Sequence, residues 1–211
     1  MKGEQNIREI LINNTIRLIA EGGFEKATTK AITHSGVSLP NIKMNEVYIY
    51  RLFGSKEQLY STAFECLDTE FLYALQDCIR QAHKLIGSTK EKLYFIFLHA
   101  WRFVLKNEAR CRCYIRYYYS IYFNGKSLEQ HNKIFEEILS EFTPLFKKEA
   151  DVRSIMHSVL TTLLDFAVRV YNGDLEDNDI NTPHVFNVLY CTMMTYFNEE
   201  TPAQIHIPHW I

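Results

Sequence analysis

Two cysteines one residue apart, Cys111 and Cys113, are the most reactive grouping of side chains that the sequence offers. Arg110, Arg112 and Arg116 surround them, and neighbouring cations lower the pKa of a thiol and favour the reactive thiolate. A redox or thiol-sensing role is one interpretation, and buried or half-buried free thiols are the other. No second cysteine pair or nearby histidine completes a zinc site, so we expect neither a metal nor a cofactor.

Recognised enzyme motifs do not occur in the sequence. It contains no H-E-x-x-H motif, no Gly-rich phosphate loop, no nucleophile elbow and no pair of Glu-x-x-His motifs. We therefore expect that the protein is not an enzyme, and an enzyme of all-helical fold is the weakest hypothesis for its function.

Composition excludes several further classes of protein. The 211 residues hold 23 Lys and Arg against 25 Asp and Glu, which argues against coating nucleic acid through bulk charge. A hydrophobic content of 47% argues against disorder. There is no run of about 20 apolar residues that could span a membrane, and the polar start at residues 1–8 is unlike a signal peptide. We expect a cytoplasmic protein without a membrane partner.

Helical periodicity extends along the chain, and apolar alternation of the kind found in strands is weak. The pattern predicts an all-α fold of about nine helices, the second of them short and opening at Thr28 or Thr29. Pro144 should kink or divide the seventh. The other predicted helices cover residues 5–22, 45–53, 55–84, 89–106, 108–122, 127–148, 151–171 and 184–197.

An ordered set of short motifs lies within residues 8–59. It consists of R-x-I-L at 8–11, L-I-A-E-G-G-F at 18–24, T-T at 28–29, S-G-V at 35–37 and I-Y-R-L-F-G-S-K-E-Q-L at 49–59. The set resembles the N-terminal region of the TetR family of bacterial transcriptional regulators. The resemblance implies a three-helix helix-turn-helix DNA-binding domain over residues 1–54. It also implies a helical bundle for ligand binding and dimerisation over residues 55–211.

The turn before the third helix departs from the family pattern. Ten residues, 39–48, separate Ser38 from Ile49, where the family has about three. One interpretation is an insertion of about seven residues, after which Asn45 starts the recognition helix. The other is a recognition helix that extends back to Asn41, with Pro40 just ahead of its first turn.

The resemblance places the recognition helix in the major groove, where residues near its start read base edges. Asn45, Glu46 and Tyr48 are the candidates, because Val47 and Ile49 are better used in packing. Asparagine can pair with adenine, and glutamate can accept a hydrogen bond from the cytosine amino group. Glu46 is equally well explained as a first-turn acid that favours the helix dipole. By the resemblance, contacts to phosphate fall on Thr28, Thr29, Tyr50 and Lys56, with Lys43 in the inserted loop as an addition.

Aromatic residues are dense between residues 93 and 123. They are explained either as an aromatic core or as an apolar pocket with polar tips, and the family's ligand pockets lie among the helices of this region. Arginines at 102, 112 and 116 would favour an acidic or phenolic ligand if they are directed inward, and the favoured alternative is that they are solvated. The candidate pocket residues are His99, Trp101, Phe103, Arg116 and Tyr119.

The last two predicted helices are apolar around more than one face, which exceeds the needs of a single core contact. The resemblance implies that they form a four-helix interface with a second copy of the chain. A two-fold dimer of this kind matches a palindromic operator. The candidate interface residues are Ile155, Val159, Leu163, Phe186, Leu189 and Met193.

The leading hypothesis is a dimeric repressor that binds double-stranded DNA and responds to a small-molecule effector. The effector would tilt the long helix that begins near Ser55 and so change the separation of the two reading heads. This requires the effector to prefer one spacing over the other. The alternative from another class is a helical dimeric interaction protein that has lost specific DNA binding through the altered turn.

Overall fold

The structure, a computed structural model, describes residues 2–34 and 44–198. Over these residues the chain forms nine α-helices and no strand, which confirms the predicted all-α fold. The helices are α1 (Lys2–Gly22), α2 (Thr29–His34), α3 (Val47–Phe53), α4 (Lys56–His83), α5 (Thr89–Lys106), α6 (Glu108–Tyr118), α7 (Gly125–Phe142), α8 (Val152–Tyr171) and α9 (Asn181–Met194).

Polar caps start the helices near the N-terminus. Thr28, Asn45 and Ser55 each accept, through a side-chain oxygen, a hydrogen bond from a backbone N–H two or three residues later, at 3.0–3.1 Å. Such caps satisfy amides that have no partner within the helix. Between α3 and α4 the chain turns at Gly54, whose φ of +83° is unfavourable for any residue with a side chain.

Several predicted boundaries needed correction, and two of them have a clear local cause. α6 ends at Tyr118 rather than near residue 122, and the Ser120 hydroxyl donates to the carbonyl of Tyr117, which competes with continued helix. α9 begins at Asn181 rather than at 184, because the Asn178 side chain accepts hydrogen bonds from the backbone N–H groups of Ile180, just before the helix, and of Asn181, its first residue. The division predicted at Pro144 is confirmed, since α7 gives way there to a 3-10 turn.

The chain packs as two compact units. One is drawn from Met1–Tyr73 and Lys106–Ile134, and the other from Ala74–Leu105 and Phe135–Ile211. α6 belongs to the first unit because it packs along α1. Packing therefore groups the helices differently from the predicted domains 1–54 and 55–211. Those domains were assigned by function, and the division at residue 54 stays a prediction.

The first unit has an aromatic and hydrogen-bonded core. The buried Tyr60 hydroxyl donates to the backbone carbonyl of Ala27 at 2.6 Å, which ties the start of α4 to the segment that leads into α2. The ring of Phe24 packs against those of Tyr60 and Tyr122, with centroids 5.2 and 4.7 Å away. α4 is thereby fixed to the segment that leads into α2.

Polar contacts near the ends of its helices help to hold the second unit together. The indole N–H of buried Trp101 donates to the carboxylate of Asp177 at 2.8 Å. The Tyr171 hydroxyl donates to the carbonyl of Val104 at 2.7 Å, so both contacts link α5 to the region around α8 and α9. α8 and α9 also pack directly on each other. No helix of the described chain is long and apolar enough to cross a membrane.

The Tyr60 hydroxyl provides a test of how the first unit is held together. Replacing Tyr60 with Phe leaves the ring but removes the donor to the buried Ala27 carbonyl, so we expect Tyr60→Phe to lower the free energy of unfolding by about 1–2 kcal/mol. Urea unfolding followed by circular dichroism measures the change. The matched control is Tyr73→Phe, which alters a half-exposed tyrosine on the same helix and should have no effect. Equal effects of the two substitutions would contradict the assignment.

Candidate nucleic-acid interface

The third helix has one inward and one outward face. Ile49 and Phe53 are buried in the first unit, at 0% and 7% exposure. Val47, Tyr50 and Arg51 are spaced so that they share the opposite face, and Val47 and Tyr50 are 66% and 54% exposed. The helix is therefore anchored along one side and presents the other to solvent.

Arg8 of α1 anchors the end of α3. Its guanidinium donates a hydrogen bond to the Leu52 carbonyl at 3.1 Å and lies 4.5 Å from the centroid of the Phe53 ring. A carbonyl in the last turn of a helix is left without an intrahelical partner, and a cation is the favoured group at that end. Arg51 and Glu4 add an exposed ion pair at 3.2 Å, which contributes little by itself.

Glu46 ties the start of α3 to the start of α2. One of its carboxylate oxygens accepts a hydrogen bond from the Thr29 hydroxyl at 2.6 Å in a partly buried contact. Hydrogen bonds to an ionised group are short and comparatively strong. Contact of both residues with DNA stays a prediction, and in the structure their hydrogen bond to each other positions the two helices.

The structure corrects the prediction for Val47, which was expected to pack inward. Met44, three residues earlier, is buried at 8% exposure and occupies the packing position instead. α3 begins only at Val47, so the apolar face runs through Met44, Ile49 and Phe53 and leaves Val47 outside. The sequence pattern could not show this, because it left open where the helix begins.

The remaining predicted contacts to DNA have varied surroundings. Thr28 and Asn45 are exposed and serve as helix caps, while Tyr48 is partly exposed beneath the Arg51 guanidinium at 4.8 Å. The Lys56 ammonium lies 5.7 Å from the centroid of the Tyr60 ring. Lys43, and the segment 35–43 that holds most of the proposed insertion, lie outside the described residues. DNA contact by any of these residues stays a prediction.

The predicted pocket residues are divided between the two units. Trp101 is buried, and His99 and Phe103 are half-buried, all on α5 in the second unit. Tyr119 belongs to the first unit, where it is 68% exposed and is unsuited to line a cavity within that unit. Arg116 donates to the carbonyl of Ile19 at 3.0 Å and so holds α6 against the end of α1.

The arginines give no support to an acidic or phenolic ligand. Arg102 is exposed, and Arg112 pairs with Glu108 of the same helix at 2.7 Å. Arg116, as described, contacts the backbone of α1.

The predicted interface residues prove to be chiefly core residues. Five of the six lie at 4–8% exposure within their own chain, because α8 and α9 pack on each other and on the rest of the second unit. Val159 alone is partly exposed. The apolar side chains that remain open to a partner in this region include Val188 at 46% and Tyr196 at 47% exposure. The five are Ile155, Leu163, Phe186, Leu189 and Met193.

A buried polar cluster in the first unit was not predicted. Asp68 of α4 and His131 of α7 are 1% and 4% exposed, and their side chains are hydrogen-bonded at 2.9 Å. The Tyr114 hydroxyl of α6 donates to the same carboxylate oxygen at 3.3 Å, and burial raises the pKa of that tyrosine well above its usual value. The sequence signal was an aspartate inside the apolar pattern of α4, between Phe64 and Phe71. The cluster joins three helices at one point.

The cysteine pair lies in the interior. Cys111 and Cys113 are buried, and burial raises the pKa of Cys113 to about 12 in spite of the opposing effect of Arg110 and Arg116. This favours the interpretation of free structural thiols over the thiol-sensing role. Among the described residues no three His, Cys, Asp or Glu side chains are grouped so that they could hold a metal ion.

Comparison with solved structures identifies the fold. A TetR family transcription regulator from Marinobacter aquaeolei VT8 is 15% identical, with a TM-score of 0.72 over 91% of this chain and 98% of its own. FadR, a fatty acid degradation regulator from Bacillus halodurans, is 18% identical, with a TM-score of 0.60 over 86% of this chain and 96% of its own. FadR from Bacillus subtilis, solved in complex with stearoyl-CoA, is 17% identical, with a TM-score of 0.58 over 86% and 96%. Protein-family models and curated proteins give no match to the sequence. The chain has the fold of the TetR-family regulators.

Thiol labelling tests the state of the cysteines. In the folded protein at pH 8 we expect Cys191, which is exposed, to react first. Cys66 should react more slowly: the residue as a whole is exposed, but its sulfur is partly buried, which raises the pKa of the thiol. Cys111 and Cys113 should not react, because both are buried, and the Cys113 thiol, with a pKa of about 12, is ionised in only about one molecule in ten thousand at that pH. Mass spectrometry after alkylation identifies the sites, and urea-unfolded protein, in which all five should react, is the control. Rapid labelling of Cys113 in the folded protein would contradict its interior position.

Proposed function

We propose that this protein is a transcriptional repressor that binds a palindromic operator as a homodimer and is released from it by a small-molecule effector. The observation that carries the proposal is the geometry of α3, whose inward face is anchored and whose outward face is open, in a chain with the fold of TetR-family regulators. The proposed DNA-binding region is the pair of helices α2 and α3.

In this proposal α3 enters the major groove and α2 crosses the DNA backbone. Tyr50 is exposed on the open face of α3, and Thr28 is exposed at the start of α2, so both hydroxyls can reach phosphate oxygens. Lys56 lies at the start of α4, where a cation is unfavourable for the helix dipole and a nearby phosphate would compensate. Such contacts fix the register of the protein on DNA without reading the sequence.

A chain of contacts connects the body of the first unit to the reading helix. Arg116 links α6 to the end of α1 through the Ile19 carbonyl, and Arg8 links α1 to the end of α3 through the Leu52 carbonyl. A displacement of α6 therefore moves α1, and α1 moves α3. We propose this route for the effector signal, in addition to the tilt of α4. It requires the effector to bind one arrangement of α6 more tightly than the other.

For the effector, the first compound to test is stearoyl-CoA, because a protein of the same fold was solved with it. If the compound is an effector, micromolar concentrations should release the operator, whereas free coenzyme A should not. Failure of stearoyl-CoA would remove long-chain acyl-CoA from consideration and leave the DNA-binding proposal intact.

Dimerisation is proposed through the exposed apolar side chains of the last two helices and their flanks. Val188 and Tyr196 are about half exposed, and Ile180, just before α9, is 69% exposed. A two-fold contact uses the same patch on both copies, so a single apolar patch is sufficient. Sedimentation velocity on the full chain measures the oligomeric state, and a monomer at micromolar concentration would overturn this part of the proposal.

Operator selection tests the function directly. The purified full chain is incubated with a random duplex library, and bound DNA is recovered and sequenced over several rounds. We expect a two-fold symmetric consensus whose binding weakens steeply as salt is raised. Recovery of no consensus, together with an intact dimer, would favour the interaction-protein hypothesis.

Lys56 provides a quantitative prediction for the selected operator. If its ammonium binds a phosphate, Lys56→Gln leaves one phosphate in each half-site without its cation. The slope of log affinity against log salt should then fall by about 0.9 for each such phosphate, or about 2 for the dimer. Lys133→Gln, a change of the same charge at an exposed position on α7, is the matched control and should leave the slope unchanged. Equal slopes for the wild type and Lys56→Gln would show that Lys56 is only a solvated lysine.

A further inference from the structure

Val47 is an apolar side chain on an otherwise polar face. It is 66% exposed, and it shares its helix face with Tyr50 one turn later and with Arg51. Single exposed apolar residues are common on protein surfaces, so exposure alone means little. Its position matters here, because it lies at the start of the helix that the proposed function places in the major groove.

The side chains next to Val47 are engaged in contacts within the protein. The Asn45 side chain accepts the backbone N–H of Val47 at 3.1 Å, and a carboxylate oxygen of Glu46 accepts the Thr29 hydroxyl at 2.6 Å. The Arg51 guanidinium is paired with Glu4 and lies over the ring of Tyr48. Of the side chains that open α3, Val47 has no hydrogen-bonding group to commit, and it projects from the anchored helix.

A valine side chain can recognise only an apolar group on a base edge. In the major groove that group is the 5-methyl of thymine, which the other bases lack. Contact between the two removes methyl surface from water, which favours binding. We propose that Val47 determines specificity by contacting a thymine methyl in each half-site of the operator. This inference rests on the proposed function, and it adds a defined base preference to it.

The rigidity of α3 supports such a contact. Two methyl-bearing groups gain from contact only when they approach within about 4 Å, which requires a helix held in one position. Arg8 holds the end of α3, and the bond between Glu46 and Thr29 holds its beginning. Buried Ile49 fixes the rotation of the helix about its axis. The position of Val47 relative to the rest of the first unit is therefore fixed.

Substitution of uracil for thymine tests the inference on the selected operator. Deoxyuridine keeps the base pair and removes only the 5-methyl group. For the wild-type chain we expect one thymine in each half-site whose replacement weakens binding about fourfold, the equivalent of one buried methylene-sized group at about 0.8 kcal/mol. For Val47→Ala, binding to the thymine operator should be weaker by a similar factor, and replacement of that thymine should have no further effect.

The matched control is Ile86→Ala, which shortens a fully exposed apolar side chain in the loop between α4 and α5. It should retain the wild-type response to uracil at every position. Val47→Ala showing the same response to uracil as the wild type would overturn the inference, as would a wild-type protein insensitive to every thymine replacement. Either result leaves the proposed function standing, provided that an operator was selected. If the selection yields no operator, both the function and this inference fail.

Discussion

The hydrogen bond from the Arg8 guanidinium to the Leu52 carbonyl, at 3.1 Å, ties α1 to the end of α3. α3 has only seven residues, and an isolated helix of that length is not stable in water. It exists because its apolar side is buried and both of its ends are held. Arg8 holds the C-terminal end of α3. Its positive charge is favourable at that end of the helix dipole, and its guanidinium lies over the Phe53 ring.

The same principle extends to the rest of the first unit. Polar side chains join neighbouring elements there: the Thr29 hydroxyl donates to the Glu46 carboxylate, the Tyr60 hydroxyl to the Ala27 carbonyl, and the Arg116 guanidinium to the Ile19 carbonyl. Deeper in the unit, Asp68, His131 and Tyr114 join α4, α7 and α6. These contacts are directional, and in the proposed route for the effector signal they pass a displacement of one helix to the next. A regulator that converts ligand binding into a change at DNA needs this property.

How far the sequence could predict the structure differs from part to part. Helix caps and apolar periodicity located the helices well, because both signals depend only on residues close together in the sequence. Pro144 likewise predicted the break after α7. The face of α3 was predicted correctly at Ile49 and incorrectly at Val47, because the start of the helix depends on packing by Met44. The roles of Arg116 and Glu46 were missed for a similar reason: their partners, Ile19 and Thr29, lie 97 and 17 residues away in the sequence. The burial of Phe186 and Leu189 within their own chain could not be predicted, because an apolar helix face does not reveal whether its own chain or a second copy covers it.

The open face of α3 is the surface through which the protein is proposed to contact DNA. Site-specific photo-crosslinking tests this contact most directly, with benzoylphenylalanine placed at position 50 on that face or at position 73 on α4, two tyrosine positions of nearly equal exposure at 54% and 52%. Irradiation in the presence of the selected operator should yield a covalent DNA adduct from position 50 and none from position 73. Adducts from both positions in equal yield, or from position 73 alone, would contradict the proposed contact.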